Sequence, residues 1–377
     1  MKNKFITYII ILVLIIVAVV SVENTNVAAY ELNSSAKGMV VLEGNSNTVL
    51  YEKNKDERLP MASTTKLVTA ILAIENCDDF DKKIKISENA VGIEGTSIYI
   101  KSGESLSMRE LLYGLILASG NDCAVAIAEY FGGEENFVKM MNDFAVSLNL
   151  TNTHFDNPHG LDSDNHYTSA YDLAVMTSYA LNNEYFVDLI GTERMVIDAS
   201  DAYQARYLKN KDRLLFSEEN CLGGKTGFTD NAGRCLVNVH EENNMKIISV
   251  VLNCQPMFDE CQRLTDLALD EYLMKDFISP YNFVSNINIE DSDKTEIGVI
   301  TVKGYSLPIL KADEDKYEIV YDIPKSLVAP IKLNEKVGSV KLLKDGELIY
   351  EDVLITIEDA DNNDIKYLID NIMDKWF

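Results

Sequence analysis

The order of the hydrophobic patterns constrains the fold of this chain more than any other feature of its sequence. Short β-rich runs come first, a long region with helical spacing follows, and β-rich runs then return. The early strands are predicted at 38–42 and 48–51, and the later ones at 222–228, 234–240 and 246–253. The helices are predicted at 64–76, 108–117, 122–131, 135–148, 171–182 and 259–276. The simplest closure is one antiparallel sheet built from both ends of the region and covered by helices, an α/β (α+β) fold.

The composition changes after a linker-like segment at 279–282. Residues 281–377 contain no arginine, 11 lysines and 20 acidic residues. Alternating strand patterns at 296–302, 317–321, 336–343 and 347–355 predict a small β-sandwich. The last segment is an amphipathic helix with an apolar face that ends in Trp376 and Phe377. We therefore expect a catalytic domain at 30–278, a C-terminal β-domain at 281–359 and a terminal helix at 360–377.

The N-terminus is typical of an export signal. Lys2 and Lys4 precede an apolar run at 9–20, and Val27-Ala28-Ala29 matches the small-residue cleavage pattern. Residues 1–29 are therefore predicted to be a signal peptide, or alternatively an uncleaved anchor, since the apolar stretch is only slightly shorter than a membrane span. In either case the body of the protein lies outside the cytoplasmic membrane, in the cell wall or at the outer face of that membrane.

Charge and cysteine usage exclude several classes of function. With 34 basic and 60 acidic residues, the net charge is −26, which argues against a nucleic-acid partner. The six cysteines form no C-x-x-C pair, and the four histidines form no H-x-x-x-H motif, so we expect no metal site and no cofactor. We expect most of the cysteines to be small buried hydrophobic residues rather than disulfides.

Three short motifs carry the chemistry, and each has decoys elsewhere in the chain. They are Ser63-Thr64-Thr65-Lys66, Ser119-Gly120-Asn121 and Lys225-Thr226-Gly227. The decoys are Ser34–Lys37, three further S-x-N triplets (at 87, 147 and 163) and Lys101-Ser102-Gly103. Ser63 begins a strong helix, where it is either a nucleophile or a plain N-cap, and Lys66 lies on the same helical face. Ser119 lies between two apolar helices, and Lys225 starts a strand in which Gly227 would let another backbone approach.

The wider sequence around these motifs resembles a known family. Segments 59–66, 112–122, 157–162 and 224–233 resemble the low-molecular-mass penicillin-binding proteins, and specifically their serine D-alanyl-D-alanine carboxypeptidases. The resemblance covers about 37–277 and extends more weakly to 328–340. It implies a β-lactamase/DD-peptidase-like domain, peptidoglycan stem peptides as substrates and β-lactams as inhibitors.

The resemblance also implies roles for individual residues. Ser63 would be the nucleophile, Lys66 a neutral base and Ser119 a proton relay. Asn121 would orient the substrate amide or Lys66, and Lys225 would lower the pKa of Lys66.

The substrate-binding roles fall on the strand. Lys225 and Thr226 would hold the terminal carboxylate, and the amides of Ser63 and Phe228 would form the oxyanion hole. A further cation would come from Lys211 or, failing that, Arg213, because Asp212 stands where relatives often have asparagine. His159 is expected to be structural.

Three alternatives share parts of this pattern. A β-lactamase would need a glutamate that positions water, which the segment 157–167 does not offer. An endopeptidase that cuts wall cross-links would use the same chemistry. A silent wall-binding protein would not need a nucleophile and a base. The terminal helix would either bind the membrane surface or pack on its own domain or a partner.

Overall fold

The structure is a computed structural model that describes residues 30–199 and 203–362. The predicted signal peptide at 1–29 lies outside the described residues, as does nearly all of the predicted terminal helix at 360–377.

The first part of the chain contains ten strands and eight helices within the described residues. The strands are β1 (Tyr30–Glu31), β2 (Gly38–Glu43), β3 (Thr48–Lys53), β4 (Lys83–Lys85), β5 (Ser105–Ser107), β6 (Arg194–Ile197), β7 (Arg206–Lys209), β8 (Cys221–Thr229), β9 (Gly233–Glu242) and β10 (Met245–Leu252). The helices are α1 (Lys66–Asn76), α2 (Met108–Ile116), α3 (Asn121–Tyr130), α4 (Glu134–Ser147), α5 (Ala170–Ala180), α6 (Glu184–Ile190), α7 (Leu214–Ser217) and α8 (Met257–Glu271). A short 3₁₀ turn, Ala62–Thr65, precedes α1.

One six-stranded sheet joins the two ends of this region, as the sequence predicted. Its strand order is β1-β3-β2-β10-β9-β8. Strand β10 pairs antiparallel with β2, so that Val250 faces Val40, and only the short β1 runs parallel to its neighbour. This pairing places β8 at one edge of the sheet, more than 150 residues along the chain from the turn that it contacts.

Helices cover both faces of the sheet. Alternate residues of β10 enter two different hydrophobic clusters, with Ile248 and Val250 on one side and Ile247 and Val251 on the other. The first cluster joins the sheet to the helical middle of the chain, and the second joins it to α8. A strand buried on both faces is apolar throughout, which explains the unbroken hydrophobic run of β10.

The helix predicted at 259–276 is wrong at its C-terminal end. Helix α8 ends at Glu271, and β11 (Tyr272–Ile278) follows directly. This strand pairs with β14, as given below, so tertiary pairing overrides an apolar spacing that fits a helix equally well. The segment 279–282 therefore joins two strands, and the domain limits at 278 and 281 remain predictions.

The C-terminal part consists of β-strands, as expected. They are β12 (Phe283–Glu290), β13 (Glu296–Thr301), β14 (Tyr305–Leu310), β15 (Tyr317–Asp322), β16 (Ser326–Val328), β17 (Lys336–Lys344) and β18 (Glu347–Thr356). A two-stranded sheet (β11 and β14) and a six-stranded sheet (β15-β17-β18-β13-β12-β16) share one hydrophobic cluster. No helix among residues 30–199 and 203–362 is long and apolar enough to cross a membrane.

Candidate active site

Ser63 lies in the 3₁₀ turn, and its hydroxyl points to a lysine. The side chain is half-buried, and Lys66 Nζ lies 2.8 Å from Ser63 Oγ. Neither the turn nor α1 has a side-chain cap, so the alternative of a plain N-cap serine is wrong. The turn also holds Ala62 at a φ of +49°, a conformation that L-residues rarely adopt. The local backbone is therefore shaped to present the hydroxyl rather than to cap the helix.

The Lys66 side chain is completely buried. Its Nζ lies 2.8 Å from Ser63 Oγ, 2.6 Å from Asn121 Oδ1 and 2.6 Å from the carbonyl oxygen of His159. Burial holds the pKa of Lys66 well below its usual 10.5, and the charges of Lys225 and Lys211 lower it further. A neutral amine in this position would keep two N–H donors for Asn121 and His159 and turn its lone pair to the serine O–H.

Lys225 and Ser119 form a second hydrogen-bonded pair on the far wall of the cleft. Lys225 Nζ donates to Ser119 Oγ over 3.0 Å and to the carbonyl oxygen of Thr226 over 2.9 Å. Burial and the charge of Lys211 lower the pKa of Lys225 to about 7, while the Asp212 carboxylate opposes this shift. Ser119 has a φ of +63° at the junction of α2 and α3, so the junction, rather than a helix, sets the direction of its hydroxyl.

Asn121 is fixed by a loop that sequence patterns did not connect to the site. Asn121 Nδ2 donates to the carbonyl oxygen of Glu94 over 2.6 Å, which leaves Oδ1 to face Lys66. The next residue, Asp122, is fully buried and accepts from the amides of Ile98 and Ile100. Asp122 therefore holds the 94–100 loop against α3 and keeps Asn121 in place.

The structure separates the two candidate cations of the 210–215 segment. Lys211 Nζ lies 3.4 Å from Thr96 Oγ1 at the edge of the cleft, and partial desolvation lowers its pKa. The Arg213 guanidinium instead lies over the ring of Phe258, 5.3 Å from its centroid. Asp212 is buried and accepts from Asn238 Nδ2 over 2.7 Å, and burial raises its pKa to about 6. Lys211 is therefore the cation that faces the site.

The loop at 157–167 closes the base of the site. The His159 carbonyl accepts from Lys66, and its ring Nδ1 accepts from the Leu161 amide, in keeping with a structural role. Gly160 has a φ of +92°, and a Cβ there would lie 1.9 Å from the Ala62 carbonyl oxygen. Only glycine therefore permits this contact with the serine turn.

His166 supports the serine turn from below and was not identified from the sequence. Its Nδ1 accepts from the amide of Asp156, so the ring proton is on Nε2, 2.8 Å from Thr65 Oγ1. Thr65 in turn donates to the carbonyl oxygen of Ala62. Burial lowers the pKa of His166 to about 4, so the ring is neutral at pH 7. No local motif marks this residue, because its partners lie 10 and 101 residues away.

The edge strand β8 meets the serine turn at Gly227. A Cβ at this position would lie 3.0 Å from the Met61 carbonyl oxygen and 3.1 Å from the Ser63 nitrogen. Gly227 therefore admits the backbone of the nucleophile itself, whereas the sequence suggested the approach of a substrate. On either side of it, Thr226 is half-buried and Phe228 is exposed.

The decoy motifs do not form comparable pairs. Ser34 Oγ accepts from the Ala36 amide, and Lys37 forms an ion pair with Glu57 at 2.9 Å. Ser163 donates to Asp156, and Gly103 lies in a turn with a φ of +77°. All six cysteines are free thiols. Among the described residues, no group of three or more His, Cys, Asp or Glu side chains could hold a metal ion.

We predict that Gly160→Ala destabilises the protein more than Gly103→Ala. Both glycines have positive φ, so both substitutions cost about 1–2 kcal/mol of backbone strain. Only the Gly160 substitution also overlaps the Ala62 carbonyl, which adds roughly 1–3 kcal/mol. The free energies of unfolding in urea measure the difference. Equal values for the two variants would show that the loop does not press on the serine turn.

The comparisons with known proteins agree with this geometry. Residues 24–256 match the profile of the family described as D-alanyl-D-alanine carboxypeptidase, and residues 273–362 match that of the penicillin-binding protein 5 C-terminal domain. A D-alanyl-D-alanine carboxypeptidase of Bacillus subtilis is 33% identical over 92% of this chain and 91% of its own length. One from Escherichia coli is 28% identical over 91% and 89%.

Solved structures show the same architecture. Penicillin-binding protein 5 from Haemophilus influenzae matches with a TM-score of 0.75 and 25% identity, and the match covers 89% of this chain and 100% of the other. A mutant of the Streptomyces K15 DD-transpeptidase matches with a TM-score of 0.59 and 27% identity over 62% and 98%. The described fold, the paired serine and lysine side chains and both family profiles lead to one conclusion: the chain belongs to the D-alanyl-D-alanine carboxypeptidase family.

Proposed function

We propose that this protein is a serine-type carboxypeptidase that removes the terminal D-alanine from peptidoglycan stem peptides, and that β-lactams acylate the same serine. The observation that carries the proposal is the buried Lys66 amine 2.8 Å from Ser63 Oγ, with Lys225 and Ser119 paired at 3.0 Å on the facing wall. The family supports this choice of substrate, and a binding protein without activity would not need a desolvated base beside a hydroxyl.

Acylation follows from the positions of these groups. The neutral amine of Lys66 takes the proton of Ser63, and Ser63 Oγ attacks the carbonyl carbon between the two D-alanines. The negative charge that develops on the carbonyl oxygen is accepted by the amides of Ser63 and Phe228. As the C–N bond breaks, Ser119 passes a proton from the Lys66 and Lys225 side to the leaving nitrogen. The products of this step are free D-alanine and an ester on Ser63.

Deacylation returns the enzyme to its starting state. A water molecule attacks the ester carbon, its proton passes to Lys66, and Ser63 Oγ regains a proton as it leaves. In both steps Lys225 and Thr226 hold the carboxylate of the terminal D-alanine, which restricts cleavage to a free chain end. Asn121 holds Lys66 in place, because the Glu94 carbonyl fixes the orientation of its amide.

We also propose the domain organisation that the sequence predicts. A signal peptide (1–29) would direct export, a catalytic domain (30–278) would carry the site, and the β-domain (281–359) would follow it. Export fits a substrate that lies outside the cytoplasmic membrane. The helix at 360–377 would provide either a membrane-surface contact or a contact with the protein itself.

Replacement of the nucleophile tests the proposed function. We expect mature protein to release D-alanine from a synthetic pentapeptide ending in D-Ala-D-Ala, and Ser63→Ala to release none above background. Ser119→Ala should lower kcat by about 10²- to 10⁴-fold, because a positioned proton relay is lost. Ser34→Ala is the matched control, since Ser34 belongs to the decoy motif, and it should retain full activity.

Other outcomes would point to the alternatives. Release by Ser63→Ala would place the nucleophile elsewhere. Labelling of Ser63 by a fluorescent penicillin without release of D-alanine would favour an endopeptidase. Rapid loss of the label with continuous penicillin hydrolysis would favour a β-lactamase.

The lysine cluster predicts a pH dependence for acylation. Ser63 reacts when Lys66 is neutral, so the acylation rate should rise with pH through the lowered pKa of Lys66. Removal of the Lys211 charge should raise that pKa and move the rise to higher pH, by a few tenths of a unit to about one unit. We expect this shift for Lys211→Gln when the rate of labelling by fluorescent penicillin is measured between pH 5 and 10. Lys341→Gln, in the C-terminal sheet, is the control. An unchanged or lower midpoint for Lys211→Gln would contradict the role of the lysine cluster.

A further inference from the structure

A cleft of about 460 Å³ continues the active site beyond the end of β8. Its walls include Pro60, three residues before the nucleophile, and Asn231, in the turn that follows β8. Asp162, Ser163 and Asp164 form the opposite wall, and they belong to the same loop that braces Lys66 through His159. The cleft is therefore bounded by the segments that build the catalytic centre.

The proposed catalytic roles fix the direction in which a substrate lies on β8. The terminal carboxylate is assigned to Lys225 and Thr226, and the reacting carbonyl to the amide of Phe228. A bound peptide thus runs along the free edge of the strand from residue 225 towards residue 229, as in other cases of strand addition. An extended chain advances about 3.3 Å per residue. The residue before D-Ala-D-Ala therefore falls beside Thr229 and the turn, at the mouth of the cleft.

The cleft presents carboxylates that the protein does not neutralise. Asp162 Oδ1 accepts from Thr229 Oγ1 over 2.8 Å, which ties this loop to the end of β8 and leaves the second carboxylate oxygen available. Asp164 is exposed and has no hydrogen bond or ion pair with any residue of the described ranges. The nearby cation, Arg58, is directed away, because it donates to Asn152 and to the Thr151 carbonyl and stacks on Tyr167.

We propose that this cleft is a subsite for the residue that precedes D-Ala-D-Ala, and that Asp162 and Asp164 bind a free ammonium group on its side chain. The inference rests on the proposed function and extends it to substrate selection. In peptidoglycan this residue is a diamino acid, and cross-linking converts its side-chain amine into a neutral amide. The subsite thus favours stems that carry no cross-link at that amine, through a charge contact that only the free amine can make.

A matched pair of peptides tests the inference. Nα-acetyl-L-lysyl-D-Ala-D-Ala carries the free ammonium group, and Nα,Nε-diacetyl-L-lysyl-D-Ala-D-Ala lacks it. We expect the wild-type kcat/KM to be about three- to tenfold higher for the first peptide, the range that two partly exposed ion pairs provide. The double variant Asp162→Asn/Asp164→Asn should reduce this ratio to about 1. Asp162→Asn retains an oxygen that can accept from Thr229, so the loop keeps its link to β8.

Asp259→Asn is the control, because Asp259 lines a separate cleft against α8, and it should keep the wild-type ratio. Equal rates for the two peptides with the wild-type enzyme would overturn the subsite while leaving the carboxypeptidase activity established. A wild-type ratio that persists in the double variant would also overturn it. Release of D-alanine from neither peptide would overturn the proposed function and, with it, this inference.

Discussion

The burial of one lysine amine is the constraint on which the site depends. Lys66 carries no exposed surface, and an ammonium ion in such a place is costly unless it loses its proton or finds full compensation. The surrounding structure provides acceptors on Asn121 and His159, and the positive charges of Lys211 and Lys225 weaken its hold on the proton. A base without histidine thus results from packing, because three segments of the chain enclose the same atom.

The sheet topology explains how these segments meet. Pairing of β10 with β2 brings the two ends of the region together, which leaves β8 as an edge strand beside the serine turn. Two glycines then allow close backbone contact, Gly227 from the strand and Gly160 from the loop. The substrate-binding edge and the catalytic pair are therefore held by the same contacts. A change in the sheet edge would move both of them.

Sequence patterns predicted the sheet, most of the helices and the residues that line the site, because each of these depends on local spacing. Ser63 could be separated from Ser34 because only Ser63 begins a periodic helix. Asp122 and His166 could not be identified in this way, since each acts on backbone atoms or side chains of distant segments. The strand after α8 was missed for the same reason: pairing with β14, rather than local spacing, selects the extended form.

The protonation state of Lys66 in the free enzyme is the most direct test of this account. NMR spectra of protein labelled with ¹³C and ¹⁵N on its lysine side chains report whether each amine is neutral or charged, and the Lys66→Arg variant identifies the Lys66 signal. The account predicts a Lys66 amine whose titration midpoint lies well below 10.5 and moves upward in Lys211→Gln. A Lys66 signal that stays charged up to the ordinary range of lysine would contradict the assignment of Lys66 as the general base.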